Sequence, residues 1–239
     1  MKLITAFFFT ILLALAPLAN AFDVPALTGP VMDQAGILQP SMQQSLAEDI
    51  YQFKVKTGAQ IQVLIVKTLN DEPIENVTIQ IFDKWKLGDE KKDTGILFLV
   101  AAQDKKMRIE VGQGLEGSVP DVIAKRIIVE VVRPFFQRGQ FEVGVQAGVA
   151  SIEHYILTGD ETFLDNAQNA PKKGKIPVQY LLFGFVGIFI ILFMFSPALA
   201  LQLLFALLSG GRGGGGGGGR GGWSGGGGSS SGGGASGDW

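Results

Sequence analysis

The feature that most constrains this chain is a pair of apolar segments separated by a four-residue polar turn. Residues 96–102 form an apolar run bounded by Gly95 and by Gln103-Asp104-Lys105-Lys106, the pattern of a fully buried strand. Strict alternation follows, with Met107, Ile109 and Val111 on one face and Arg108 and Glu110 on the other, the pattern of a half-buried strand. Two such strands joined by a short turn close an antiparallel hairpin. The hairpin carries the glycine-rich loop 112–121 back to the level of Asp93. Three carboxylates, Asp93, Glu116 and Asp121, are therefore expected at one sheet edge.

The flanking sequence supplies the layers around this hairpin. Pro40-Ser41 opens a helix in which Met42, Leu46, Ile50 and Phe53 recur at helical spacing, with Gly58 at its end. Residues 61–66, IQVLIV, read as a strongly apolar strand, and Asp71 with Pro73 starts a helix that presents Ile74, Val77, Ile81 and Trp85 inward, with Gly88 after its end. Strand, helix and strand in that order predict a parallel crossover. Ser118 with Asp121 predicts a capping box for a helix running to Arg133, broken by Pro134 and Gly139. A last helix over 141–158 carries Gly144 and Gly148 for close approach to a neighbour. The expected domain, residues 22–159, is α/β: a small mixed sheet of three strands, with room for a fourth, sandwiched between helices. No strand is expected after residue 158.

The ends of the chain read differently. Lys2, the apolar stretch 3–15 and Ala19-Asn20-Ala21 compose a secretory signal peptide over residues 1–21. Residues 160–175 read as a polar linker, and residues 176–208 contain no charge, enough for one transmembrane helix of ~20 apolar residues. The signal peptide places the folded domain in the periplasm or outside the cell, anchored to the cell membrane by a single pass. Lys172, Lys173 and Lys175 flank the span on that outer side, against the positive-inside rule. A hairpin of two short spans, which would bring the tail outside as well, is the alternative. Residues 209–239, glycine and serine with few other types, are expected to form a flexible, unfolded tail.

Composition excludes several functions. The chain has no cysteine, so thiol chemistry and disulfides are absent, and its single histidine leaves little for a zinc site or a catalytic triad. Between residues 22 and 171 there are 14 Lys and Arg against 21 Asp and Glu. So acidic a domain is a poor nucleic-acid partner and a good host for cations. Gly112-Gln113-Gly114-Leu115-Glu116-Gly117 has the form G-x-G-x-x-G, but no further strand bears a ribose-binding acid, and Glu116 would repel a pyrophosphate. The loop reads as a tight turn, with no nucleotide. A hard divalent cation needs several converging oxygens; Asp93, Glu116 and Asp121 meet that need, and Asp33 joins them if the N-terminal segment crosses the same edge. Calcium suits such a site better than magnesium.

Four segments in this order resemble the TPM domain: VMDQAGIL at 31–38, DTGILFL at 93–99, RIEVGQGLEG at 108–117 and PFF at 134–136 before Gly139. An exported domain followed by a span and a glycine-rich tail with Ala-Ser-Gly-Asp-Trp resembles the bacterial YgcG-like members. The resemblance implies an α/β sandwich and a divalent cation held by Asp33, Asp93, Glu116 and Asp121. It also implies a role in assembly or quality control of membrane protein complexes, with the membrane as the other partner. In plant chloroplast relatives it implies an acid phosphatase. The alternative function is thus a metal-dependent phosphatase acting on phosphate esters, in which Arg108 or Arg126 offsets phosphate charge; the family does not fix whether bacterial members are enzymes.

Overall fold

The computed structural model describes residues 22–160 and 223–239, so the signal-peptide, linker and span expectations fall outside the described residues. Among the described residues no helix is long and apolar enough to cross a membrane. The two stretches belong to one compact unit. Its centre is a five-stranded sheet in sequence order: β1 (Val31–Asp33), β2 (Gln60–Val66), β3 (Gly95–Ala101), β4 (Lys106–Val111) and β5 (Gly233–Asp238). The first three strands run parallel, and β3, β4 and β5 alternate in direction. The predicted hairpin is β3–β4, with Ile96 opposite Val111.

Alternation along the strands makes two cores. On one face Ile61, Val63 and Ile65 of β2, Ile96, Phe98 and Val100 of β3 and Met107, Ile109 and Val111 of β4 pack against α1 (Pro40–Thr57) and the C-terminal helices. The other face sets Leu64, Leu97 and Leu99 against Val77, Ile81, Phe82 and Trp85 of α2 (Ile74–Trp85). Each fully buried Ile, Leu or Phe of this kind stabilises the fold by about 1.5–3 kcal/mol. Helix α1 starts on Pro40 and ends where Gly58, at φ +79°, donates its N–H to the Lys54 carbonyl.

Two helix boundaries differ from expectation. Helix α3 (Asp121–Arg126) follows Pro120, so Asp121 is its first residue and Ser118 does not cap it. Pro134 does not stop the helix either: a π-helical turn, Ile127–Val132, leads into α4 (Arg133–Gln137). Proline removes one N–H and crowds the carbonyl four residues back, and a wider π turn tolerates both. Helix α5 (Phe141–Thr158) then returns over it. A Cβ on Gly144 would lie 2.6 Å from the Phe136 ring and one on Gly148 2.9 Å from Val132, so these glycines do set the close approach.

The larger correction concerns the tail. Residues 233–238 form β5 on the outer edge of β4, with Ile109 opposite Ala235. The expectation of an unfolded tail, and of no strand after residue 158, fails for these residues because a preformed strand edge supplies the hydrogen-bonding partner. The tail need not bury a core of its own.

Glu153, half-buried on α5, yields a test of helix packing. Burial and then the nearby Asp49 carboxylate push its carboxyl from 4.5 up to about 7. A raised carboxyl favours the neutral form in the folded state, so stability falls as pH climbs from about 4.5 to about 7. Glu153→Gln should therefore raise the melting temperature at pH 8 and leave it nearly unchanged at pH 4. An equal shift at both pH values in thermal melts would contradict this assignment.

Candidate functional site

The hairpin delivers Asp93 to the glycine loop as its geometry requires. Gly112 donates its N–H to the Gly95 carbonyl at 2.8 Å and Gly114 to that of Asp93 at 3.2 Å. A Cβ on Gly112 would stand 2.3 Å from the Asp93 carbonyl oxygen, and one on Gly114 1.6 Å from that of Lys92. These glycines exist for backbone contact with residues 92–93, in keeping with the tight-turn reading.

Asp93, Glu116 and Asp121 lie along one rim, and the tail runs over all three. Asp93 Oδ1 accepts the Ser229 N–H at 2.6 Å and its hydroxyl at 2.9 Å. Glu116 Oε1 accepts the Ser231 hydroxyl, and Asp121 Oδ1 accepts the Gly234 N–H at 2.7 Å. Beside Glu116, Asp121 and residues 231–233 an open hollow of about 600 Å³ faces solvent.

Asp33 is elsewhere. It pairs with Ile65, which pairs with Val100, placing it at the C-terminal end of the parallel strands, whereas Asp93 precedes the N-terminal end of β3. Its carboxylate accepts the N–H groups of Ala35, Gly36 and Leu38 at 3.0, 2.8 and 2.8 Å, and so holds the turn out of β1. Among the described residues no group of three Asp, Glu or His side chains is placed to hold a metal ion. Tail donors occupy one oxygen of each rim carboxylate.

The sequence hid a second feature. Arg108 and Glu110, expected on a half-solvated face, are buried between α2 and the tail. Arg108 Nη2 lies 2.6 Å from Glu110 Oε2, and its Nε donates to the same oxygen at 2.7 Å. The tail completes the pair: Ser230 donates its hydroxyl to Glu110 Oε1 at 2.7 Å, while Arg108 donates to the Ser236 hydroxyl at 3.0 Å and the Gly232 carbonyl at 3.2 Å. Burial pushes the Glu110 carboxyl up, against the pull of the Ser230 hydroxyl and of Arg108. Ser236 also donates to Glu75, and that hydrogen bond holds the Glu75 carboxyl down.

Gln60 and Gln62, fully buried in an otherwise apolar strand, repeat the theme. Gln62 Oε1 accepts the Trp223 indole N–H at 2.7 Å, and Gln60 Nε2 donates to the Ser224 carbonyl at 3.3 Å. Burial lowers the pKa of Lys54, whose ammonium stands 4.7 Å over the Trp223 ring. Polar residues at inward-facing strand positions were the signal available for this surface. Neither arginine considered for a phosphate is poised for one: Arg108 is committed to Glu110, and Arg126 pairs with Glu130 at 3.3 Å.

A model of the TPM domain family matches residues 31–155, half of the chain. The chain belongs to this family. Among solved structures, the N-terminal domain of a protein from P. gingivalis is 28% identical at a TM-score of 0.50, covering 55% of this chain and 83% of that one. The BA42 protein of the psychrophilic bacterium Bizionia argentinensis is 20% identical at a TM-score of 0.46, over 52% of this chain and 84% of that one. The N-terminal domain of the cg2496 protein from Corynebacterium glutamicum is 13% identical at 0.43, over 56% and 86%. No curated protein matches the chain. The TPM match spans β1 to α5 and stops short of the tail.

Removing one partner of a buried ion pair strands the other. Arg108→Met alone should cost about 3–5 kcal/mol in urea unfolding, and adding Glu110→Leu should recover most of it. Equal stability of the wild type and the single variant would contradict the buried pair.

Proposed function

We propose that this chain is a membrane-anchored, extracytoplasmic TPM domain of the YgcG-like kind that holds an extended polypeptide along the β4 edge, serving assembly or quality control of membrane protein complexes. The supporting observation is that all six residues of β4 pair with the tail strand while Asp93, Glu116 and Asp121 accept its hydrogen bonds. Strand addition of this kind draws affinity from the main chain and specificity from side chains. Turnover draws less support, since the arginines a phosphatase would use are paired. Removing residues 223–239 should leave β2 and β3 protected from hydrogen exchange and expose the outer amides of β4, and the 223–239 peptide should restore their protection. Unchanged protection of β4 without the tail would overturn the reading.

Under this reading a calcium-like cation competes with the tail for the rim carboxylates. Calorimetric titration with calcium should show weaker binding to the full chain than to the chain lacking residues 223–239. Equal affinity would place any cation away from Asp93, Glu116 and Asp121.

Strand pairing also bears on the anchor. Residues paired in one sheet share one side of any membrane, and under this reading β4 and β5 do so. That favours the hairpin alternative for residues 176–208 over a single pass. The chain lacks cysteine, so Ser45→Cys in α1 and Ser224→Cys in the tail, both exposed positions, are clean probes. In cells with an intact inner membrane, an impermeant maleimide should label both variants alike; opposite labelling would restore the single pass.

A further inference from the structure

The β4 edge is too selective to be a general strand acceptor. Three glycines of β5 are tightly placed, Gly234 against backbone and Gly233 and Gly237 against side chains. A Cβ on Gly234, at φ +131°, would lie 2.0 Å from the Ile109 carbonyl oxygen; one on Gly233 would lie 2.6 Å from Glu116 Oε1, and one on Gly237 2.4 Å from Ile128 Cγ2. Upstream the exclusion is as strict, at 1.7 Å from the Trp85 carbonyl oxygen for Gly225 and 2.1 Å from that of Leu87 for Gly228. The residues between them are glycine and serine apart from Ala235, which is buried in the main core.

Each end of this filter is closed by a tryptophan. Trp239 stands edge-on to Phe136, ring centroids 4.7 Å apart, and 6.3 Å from Phe141. Arg133 grips the residue before it, donating from Nε to the Asp238 carbonyl at 2.6 Å and pairing with the Asp238 carboxylate. At the other end Trp223 lies 6.3 Å from Tyr51 and bonds the buried Gln62. Aromatic pairs contribute beyond the area they bury, and two anchors fix the register of a segment whose glycines alone would slip.

We propose that this groove is a sequence-reading site for one ligand class: an extended glycine- and serine-rich segment with a tryptophan at either end and an acidic residue before the second. Phe136, Phe141 and Arg133 select one end, Tyr51, Lys54 and Gln62 the other, and the chain's own residues 223–239 occupy the site at rest. This rests on the strand-addition reading above and names its ligand.

The experiment uses the full chain and Trp239→Ala in the full chain, compared by hydrogen exchange of residues 233–238. The expected result is exchange faster by about tenfold or more in the variant, with β2 and β3 unchanged. Synthetic 223–239 peptide added to that variant should bind. Peptides carrying Trp239→Ala or Gly234→Ala, or a scrambled sequence of the same composition, should bind at least about tenfold more weakly. Equal binding of the scrambled peptide overturns sequence reading and leaves strand addition standing. Rapid exchange of residues 233–238 in the unaltered chain overturns strand addition itself. If Trp239→Ala fails to fold, Arg133→Gln serves in its place, and a tail as protected as in the unaltered chain again counts against the proposal.

Discussion

Everything about this surface follows from the unfinished state of β4. Its inner edge is satisfied by β3, but its outer edge offers a row of backbone donors and acceptors, and two of its side chains are a buried ion pair. An edge of that kind must be covered, blunted or paired. Here β5 pairs it, and the same tail supplies the serine and carbonyl oxygens that Arg108 and Glu110 need once α2 has shut them from water. Burying these charges without such partners would cost more than their attraction returns.

Glycine is what makes the pairing possible. The tail approaches the Ile109 carbonyl closely enough to exclude a β-carbon, and it lies against the Glu116 carboxylate. A strand of ordinary β-formers would stand off too far to reach the polar groups of the rim. The acids Asp93, Glu116 and Asp121 then act as acceptors for main-chain and serine donors, a role that three clustered carboxylates fill as readily as cation binding.

Much of this was legible in the sequence, and the failures have physical causes. Strands β2, β3 and β4 and helices α1, α2 and α5 carry clear apolar periods, and the return of Asp93 to Gly112 follows from hairpin geometry alone. Asp33 was misplaced because local motif order says nothing of strand direction: β1 is parallel to β2, which sends Asp33 to the far end from Asp93. The tail strand was invisible because GGASGD has neither alternation nor β propensity, its only buried apolar residue being Ala235. Its trace lay instead in the receiving surface, in Gln60 and Gln62 of the apolar strand β2 and opposite charges two residues apart on β4. Pro134 misled because the π turn that tolerates it leaves no mark in composition.

The central claim is that the tail is the fifth strand of the sheet, and nuclear Overhauser contacts across the β4–β5 seam test it most directly. In the full chain, isotope-labelled and held in detergent, the account predicts cross-strand contacts between the backbone protons of Ile109 and Ala235, with strand-like shifts over residues 233–238. Random-coil shifts throughout residues 223–239, with no contact to β4, would contradict it.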